Sequence, residues 1–415
     1  MRKYLYWTHL WIGLVLGIYF AFMGLTGSAL VFKTEIHEVL TPSLYRVDVP
    51  RIPAYVPLDT LIGVFRSTHP GVSTFSIRLP LKPDASTVFS YVPVNPPGWR
   101  GPVINPYSPV SPPVVQGRHD RHEWFIDPYS ARVLGEQLVG GTFFYVLHNL
   151  HAHLLLEGIG YTFHTYGVLF LLTLVISGLW LWWPSLKNFG KQFKARTRIK
   201  FGASIKRIMV DLHNVAGFYA LVVLLAIVTT ASLHFWPTQA AAIISQAVKL
   251  LSESNANANV DASDVFPNNA CASQIPALRL ATYQEIARNA ANAESSLSIL
   301  ELDISQANPV VLMGSRNPHM VAPLLTSVTV NGCSGRVEKV LTPQESPVDI
   351  RATNWIMFVH FGQWGPGFAY YLVRAIWFLT GICPTILFLS GVLMYLAKRK
   401  AKQEGQRRRA FGLAR

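Results

Sequence analysis

Charged residues are scarce in this chain: Asp, Glu, Lys and Arg supply 14% of 415 residues, against about a quarter in soluble domains. An ordinary water-soluble globule is therefore a poor description. There are three cysteines, too few for a disulfide-built secreted scaffold, and no C-x-x-C-H, which excludes covalently attached c-type haem. No H-E-x-x-H is present, and with it goes the commonest helical zinc-hydrolase signature. No Gly-x-Gly-x-x-Gly follows a strand on the cytoplasmic side, so the chain brings no nicotinamide or flavin domain of its own there.

What it has instead is apolar length. Half the residues are hydrophobic, and four runs, Leu10 to Phe32, Tyr161 to Trp183, Val215 to Trp236 and Tyr370 to Leu396, exceed the roughly 20 residues needed to cross a bilayer core. The first run follows Arg2 and Lys3 as a signal peptide would. It is too long for an h-region, however, and lacks a small-x-small cleavage site, so it reads as a retained helix.

The formal charge of +14 is unevenly spread. Of 36 Lys and Arg, two lie at the N-terminus, eight in 184–207 and eight from Lys398 onward, with Glu404 the only acid among them. This is the positive-inside pattern, which puts both termini and the 184–207 loop in the cytoplasm. The basic tail then suits anionic lipid, and a nucleic-acid partner is not expected.

The predicted architecture is a membrane α-helical protein with four transmembrane helices in two parallel repeats and two periplasmic α+β modules. Helix 1 occupies 1–32, a periplasmic module with the approach to helix 2 covers 33–160, and helix 2 covers 161–183. The basic loop 184–207 leads to helix 3 at 208–236. A second periplasmic module with the approach to helix 4 spans 237–369, followed by helix 4 at 370–397 and the tail 398–415. In the first module, 58–68 has helical spacing, and 72–79, 87–94 and 122–126 read as strands. In the second, a helix at 282–292 precedes strands near 297–302, 309–313 and 325–330. A Pro/Gly/Asn-rich loop at 92–113 and a polar linker at 252–269 separate them. Cys271 and Cys333 fall on the oxidising side, where they are able to pair, and Cys383 reads as a small apolar filler.

Thirteen histidines are present, and two occupy matched places. His9 and His213 each begin an apolar run with the pattern His-x-x-x-Gly, and each is followed seventeen residues later by a threonine, Thr26 or Thr230. A repeat of this kind brings equivalent histidines face to face. Bis-imidazole ligation inside a helix bundle suits haem. The outer side carries His148, His151, His153, His164, His234 and His360. From His213 to His234 is about 31 Å along a helix, so any second site is separate from the first.

These residues resemble the PepSY-associated transmembrane family, which includes inner-membrane ferric-siderophore reductases. The resemblance covers nearly the whole chain. It rests on His9, Gly13, Thr26 and Gly27 in helix 1, on Trp124 to Gly135 as a strand-turn-strand ending, and on Leu150-His151-x-x-Leu154. It continues through Asp211-Leu212-His213 to Gly217 and His360-x-Gly362-x-x-Gly365. Ser130-Ala131 and Thr230-Ala231 stand where the family carries Thr-Gly, and His148, His153, His164 and His234 are additional.

The resemblance implies two b-type haems in a bacterial inner (cytoplasmic) membrane protein, an oxidoreductase of iron uptake. His9 and His213 would hold the inner haem iron, and His151 and His360 the outer. Counting along helix 2 leaves His164 open as an outer ligand, with His148 and His234 as further alternates. Electrons would pass from a cytoplasmic-side or quinol donor to a periplasmic ferric siderophore, releasing Fe(II). Trp99, Arg100, Trp124, Trp355 and Trp364 are the candidate docking residues. Two alternatives remain at this point: a haem-bearing membrane subunit exchanging electrons between quinone and a periplasmic oxidoreductase, and a non-enzymatic PepSY interaction module.

Overall fold

A computed structural model describes residues 2–93 except 73, 120–236, and positions 239, 242, 243 and 246. From 282 to 410 it describes all but 294–296, 305–309, 316–325, 333–334, 343, 346–354, 357 and 366. The pairing of Cys271 with Cys333, the 92–113 loop beyond 93, the 252–269 linker, Trp99 and Arg100 lie outside the described residues.

Among the described residues three helices are long and apolar enough to cross a membrane, α7 (Glu157–Trp182), α9 (Ile205–Phe235) and α11 (Phe368–Ala410), with a short α8 (Phe189–Arg196) in the basic loop between the first two. The fourth run is not one straight rod as its sequence suggests. It divides into α1 (Arg2–Val15) and α2 (Gly17–Val31), bent by 62° at Leu16. The hydrogen-bond ladder carries through the bend, with Leu16 N donating to Ile12 O at 2.9 Å and Phe20 N to Leu16 O at 3.0 Å. The ring of Phe388 in α11 occupies the space a Cβ on Gly17 would need, so a glycine at the bend is what admits the neighbouring helix. Counted as one span, α1 and α2 complete a ring of four in which α2 packs on α11, α11 on α9, α9 on α7, and α7 on α1.

Small residues set the tightest crossing. A Cβ on Gly381 would lie 2.8 Å from the carbonyl of Gly24, and Ser28 Oγ donates to Phe378 O at 2.8 Å. Close backbone approach substitutes here for the hydrophobic effect, which lipid does not supply between helices. At the α2 end, Arg374 is 2% exposed; its Nε donates to Val31 O at 3.2 Å, and its Nη2 meets Glu35 Oε2 at 2.7 Å. Its guanidinium also lies 4.6 Å from the Phe32 ring centre. That one side chain caps α2 and ties it to α11. Helix α11 continues well past the predicted span through the basic segment to Ala410.

Beyond α2 the chain forms α3 (Lys33–Leu40), α4 (Pro42–Tyr45) and α5 (Leu58–Thr68), then β1 (Phe75–Arg78), β2 (Thr87–Tyr91), β3 (His122–Ile126) and β4 (Val133–Leu138). The second outer segment gives α10 (Thr282–Ala293), β5 (Ser298–Ile304), β6 (Val310–Ser315), β7 (Thr326–Val330) and β8 (Val337–Leu341). All eight strands join one sheet in the order β4-β3-β2-β1-β5-β6-β7-β8. The two segments meet through antiparallel β1 and β5, with Phe75 opposite Ile304 and Ile77 opposite Leu302. Alternate strand residues (Phe75, Ile77, Phe89, Leu302, Leu312, Val328) pack with Ile62 and Phe65 of α5 and Ala290 of α10 in one core. Pairing of the segments leaves each with no free inner edge, and it gives both helices a single apolar face to cover.

The β3–β4 and β7–β8 turns are the same turn. Asp127 N donates to Arg132 O and Ala131 N to Asp127 O; Asn331 N donates to Arg336 O and Gly335 N to Asn331 O, all at 2.9 Å. The left-handed position is Gly335 (φ +67°) in one and Ala131 (φ +56°) in the other.

Candidate functional site

The four-helix ring holds histidines in two tiers, each histidine anchored by a hydroxyl on a neighbouring helix. In the tier near the termini, His9 Nδ1 lies 3.0 Å from Ser177 Oγ of α7, and His213 Nδ1 lies 3.0 Å from Ser390 Oγ of α11. In the tier near the sheet, His151 Nδ1 lies 2.9 Å from Thr26 Oγ1 of α2, and His360 Nδ1 lies 3.3 Å from Thr230 Oγ1 of α9. His151 comes from α6 (Phe143–His153). Along α9, His213 and Thr230 are about 25 Å apart at helical rise, so the tiers are two sites.

Each hydroxyl spends its only proton on its own helix: Ser177 donates to Leu174 O, Ser390 to Ile386 O or Leu387 O, Thr26 to Phe22 O or Met23 O, and Thr230 to Ala226 O or Ile227 O. Such back-bonding leaves the oxygen only its lone pairs, so it must accept from the ring. His360 Nδ1 also faces Ile227 O at 3.2 Å, and a carbonyl can only accept. His9, His151 and His213 have the corresponding backbone bond, to Leu174, Met23 and Leu387. All four rings therefore carry their proton on Nδ1 and keep the Nε2 lone pair free, which is the tautomer a metal needs.

The rings of the inner pair meet edge to face. The His9 and His213 ring centres are 6.3 Å apart with planes at 80°. Two imidazoles bound on opposite sides of one metal at about 2 Å bonds place their ring centres about 6 Å apart. Small residues make room around the rings: a Cβ on Gly178 would lie 3.1 Å from His9 Cε1, on Gly27 3.0 Å from His151 Cε1, and on Gly391 3.8 Å from His213 Cε1. Among the described residues no group of three or more His, Cys, Asp or Glu gathers as a closed metal site. Paired imidazoles with bare Nε2 suit an axially ligated macrocycle better than a tetrahedral ion.

In the outer tier, His151 lies within electrostatic reach of His360, His148 and His164. Of the other predicted candidates, His164 has its Nδ1 held in a similar way, 2.5 Å from the Tyr19 Oη, and its Nε2 is buried without a hydrogen-bond partner among the described residues. His234 sits edge-on to Phe235 at 5.6 Å, and His153 stacks on Tyr161 at 6.2 Å. His148 lies within electrostatic reach of Lys33, His153 and His234; burial and those charges lower its pKa to about 4. Trp124 is not available for docking: it is 3% exposed, packed on Phe65 and Phe89 in the sheet core. Trp355 is exposed, and Trp364 meets Trp377 edge to face at 5.7 Å.

Sequence reading missed Ser177 and Ser390. The signal was there as a repeated Ser-Gly dipeptide, Ser177-Gly178 and Ser390-Gly391, in the two return helices. Asp211 was legible only as motif: it is 1% exposed and paired with Arg207 at 2.8 Å, one turn earlier on α9, and it accepts from Lys200 N at 3.3 Å. It thereby ties the basic loop at Lys200 to α9.

No curated protein matches the chain. The family model described as the PepSY-associated TM region matches residues 6–398.

Proposed function

The chain belongs to the PepSY-associated TM region family, and from that premise we propose that it is a haem-dependent ferric-siderophore reductase of the bacterial inner membrane. In this reading the two halves are parallel repeats, both termini are cytoplasmic, and the sheet is periplasmic. His9 and His213 hold one b-type haem near the cytoplasmic side; His151 and His360 hold a second near the sheet. Bound haem supplies reversible one-electron chemistry at a potential set by its axial ligands and burial.

The observation that carries the proposal is the fourfold recurrence of a histidine whose Nδ1 proton is held by a back-bonded Ser or Thr. A purely structural histidine in lipid would satisfy both ring nitrogens; four rings held at Nδ1 with Nε2 left bare, in two tiers, suit a transmembrane relay. The hydroxyls orient the rings, the glycines admit them, and the apolar helices exclude water. At the sheet end the chain has only to dock the ferric chelate, because one electron turns Fe(III) into the more weakly chelated Fe(II) without cleaving the ligand. With 184–207 too short for a donor domain, electrons arrive from a separate molecule.

The test is stopped-flow mixing of the anaerobically reduced protein with ferric siderophores, following haem reoxidation and trapping Fe(II) with ferrozine. Stoichiometric Fe(II) with matched reoxidation is expected. A reduced protein that no ferric chelate reoxidises, but that a co-purifying periplasmic oxidoreductase does, would replace this reading with an electron-carrier subunit.

A further inference from the structure

Three tryptophans crowd the basic end of α7, and they point different ways. Trp180 and Trp183 lie 59% and 53% exposed on the outside of the helix ring, whereas Trp182 is 9% exposed and its Nε1 is buried with no hydrogen-bond partner among the described residues. Trp182 continues the inward stripe of α7. It stands about five turns from the buried His164 and about one turn beyond Gly178, whose Cβ position is 3.1 Å from His9 Cε1. A buried N–H on that stripe calls for an acceptor.

Two guanidiniums converge on the same helix end. Arg2 Nη2 donates to Leu181 O at 3.3 Å, and Arg196 Nη1 of α8 donates to Trp182 O. Capping the last carbonyls takes one N–H of each, and a guanidinium has five. Among the described residues neither is paired with a carboxylate. The other return helix repeats the step. Four residues past Ser177-Gly178 comes Trp182, and four past Ser390-Gly391 comes Tyr395. Gly391 is the glycine beside His213, and the Tyr395 ring lies 6.4 Å from that of Trp11 in α1.

We propose that Trp182, with Arg2 and Arg196, holds one propionate of the haem ligated by His9 and His213, and that Tyr395 holds the other. The inference rests on the haem reading above and adds what grips the rim of the macrocycle. Axial ligands from α1 and α9 leave that rim to α7 and α11, the helices that carry Trp182 and Tyr395. The two carboxylates of a haem are charged at neutral pH, and a charge among apolar helices is tolerated only with donors or cations beside it. From Gly178 to Trp182 is about 6 Å toward the basic side, within reach of a propionate arm. A lipid phosphate meets Arg2 at the surface but not an indole nitrogen without solvent contact.

The experiment loads full-length apoprotein from haem-deficient cells with haem or haem dimethyl ester and follows loss to apomyoglobin, the inner haem being the one that His213→Ala lacks. Trp182→Phe keeps a ring to stack on Phe218, now 4.5 Å away, and removes the N–H. It should speed loss of the inner haem about tenfold, the lower end for a hydrogen bond to a charged group, and leave loss of the ester unchanged. Tyr395→Phe and Arg196→Gln should show the same selectivity, and they carry the test should Trp182→Phe not fold. A packing defect would speed haem and ester equally; that result, or haem loss at the wild-type rate, overturns the site. A wild type that takes up no haem refutes the haem reading itself, whereas two haems held with indifference to these changes refute the propionate site alone.

Discussion

Removing the hydroxyl of Ser390 asks whether the histidine tiers are ligand sites. Ser390 Oγ accepts from His213 Nδ1 at 3.0 Å, and the backbone bond to Leu387 is the ring's second acceptor. Ser390→Ala deletes one acceptor and leaves the other, so the tautomer survives but the ring loses a constraint. A neutral hydrogen bond contributes about 1 kcal/mol net, and loss of the hydrogen-bond partner behind a ligating histidine typically weakens metal binding about 10–100-fold. With the carbonyl still in place, the lower end applies: about tenfold, or roughly 1.4 kcal/mol. The assay is haem dissociation from the detergent-purified variant into excess apomyoglobin. The expected result is one fast and one unchanged phase, the fast one belonging to the His9–His213 site. Thr26→Val should do the same at the other site, since Met23 supplies the corresponding backbone bond there. If Ser390→Ala leaves both phases unchanged, the hydroxyl does not position a ligand, and the tautomer argument fails.

Three further outcomes follow from the scaffold. Ala131 holds φ +56° where the equivalent turn has Gly335, so Ala131→Gly should stabilise the sheet by about 1 kcal/mol; an unchanged or lower melting temperature would mean the turn is not strained. Glu35→Ala strands the buried Arg374 guanidinium, whereas Arg374→Met leaves a Glu35 side chain that is 47% exposed, so thermal unfolding should show Glu35→Ala as the costlier change; the reverse order would contradict the burial argument. Burial acts to raise the Glu123 pKa, but Arg78, Arg121 and the Gln137 hydrogen bond outweigh it and hold it below its usual value. Its stabilisation is present above the unfolded carboxylate pKa of about 4.3 and is lost as pH falls through the lower folded value, so Glu123→Gln should blunt acid unfolding of the sheet. An acid limb identical to wild type would refute this.

Much of the scaffold was legible because membrane helices and half-buried strands leave periodic traces. The helix at Leu58–Thr68 and the strand at His122–Ile126 have the predicted bounds, since apolar spacing and turn residues mark both ends. The bend at Leu16 was invisible because the Phe388 ring that packs against Gly17 there is far away in sequence. β8 was missed because Val337–Leu341 carries two charges in five residues, as an edge strand can. The union of two modules in one sheet depends on which edges meet, and no single strand encodes that. At the site, the matched spacing of His9–Thr26 and His213–Thr230 pointed to the pairs, but the threonines served only as landmarks. Their role as Nδ1 acceptors for His151 and His360 appears only when α6 and the approach to α11 are folded back onto α2 and α9.

If two histidine pairs hold two haems, the pyridine haemochrome of purified wild type, His213→Ala and His151→Ala will count two b-type haems per chain in wild type and one in each variant, with the remaining haem spectrally different between them. A colourless wild type from haem-replete cells, or variants that keep both haems, would contradict it.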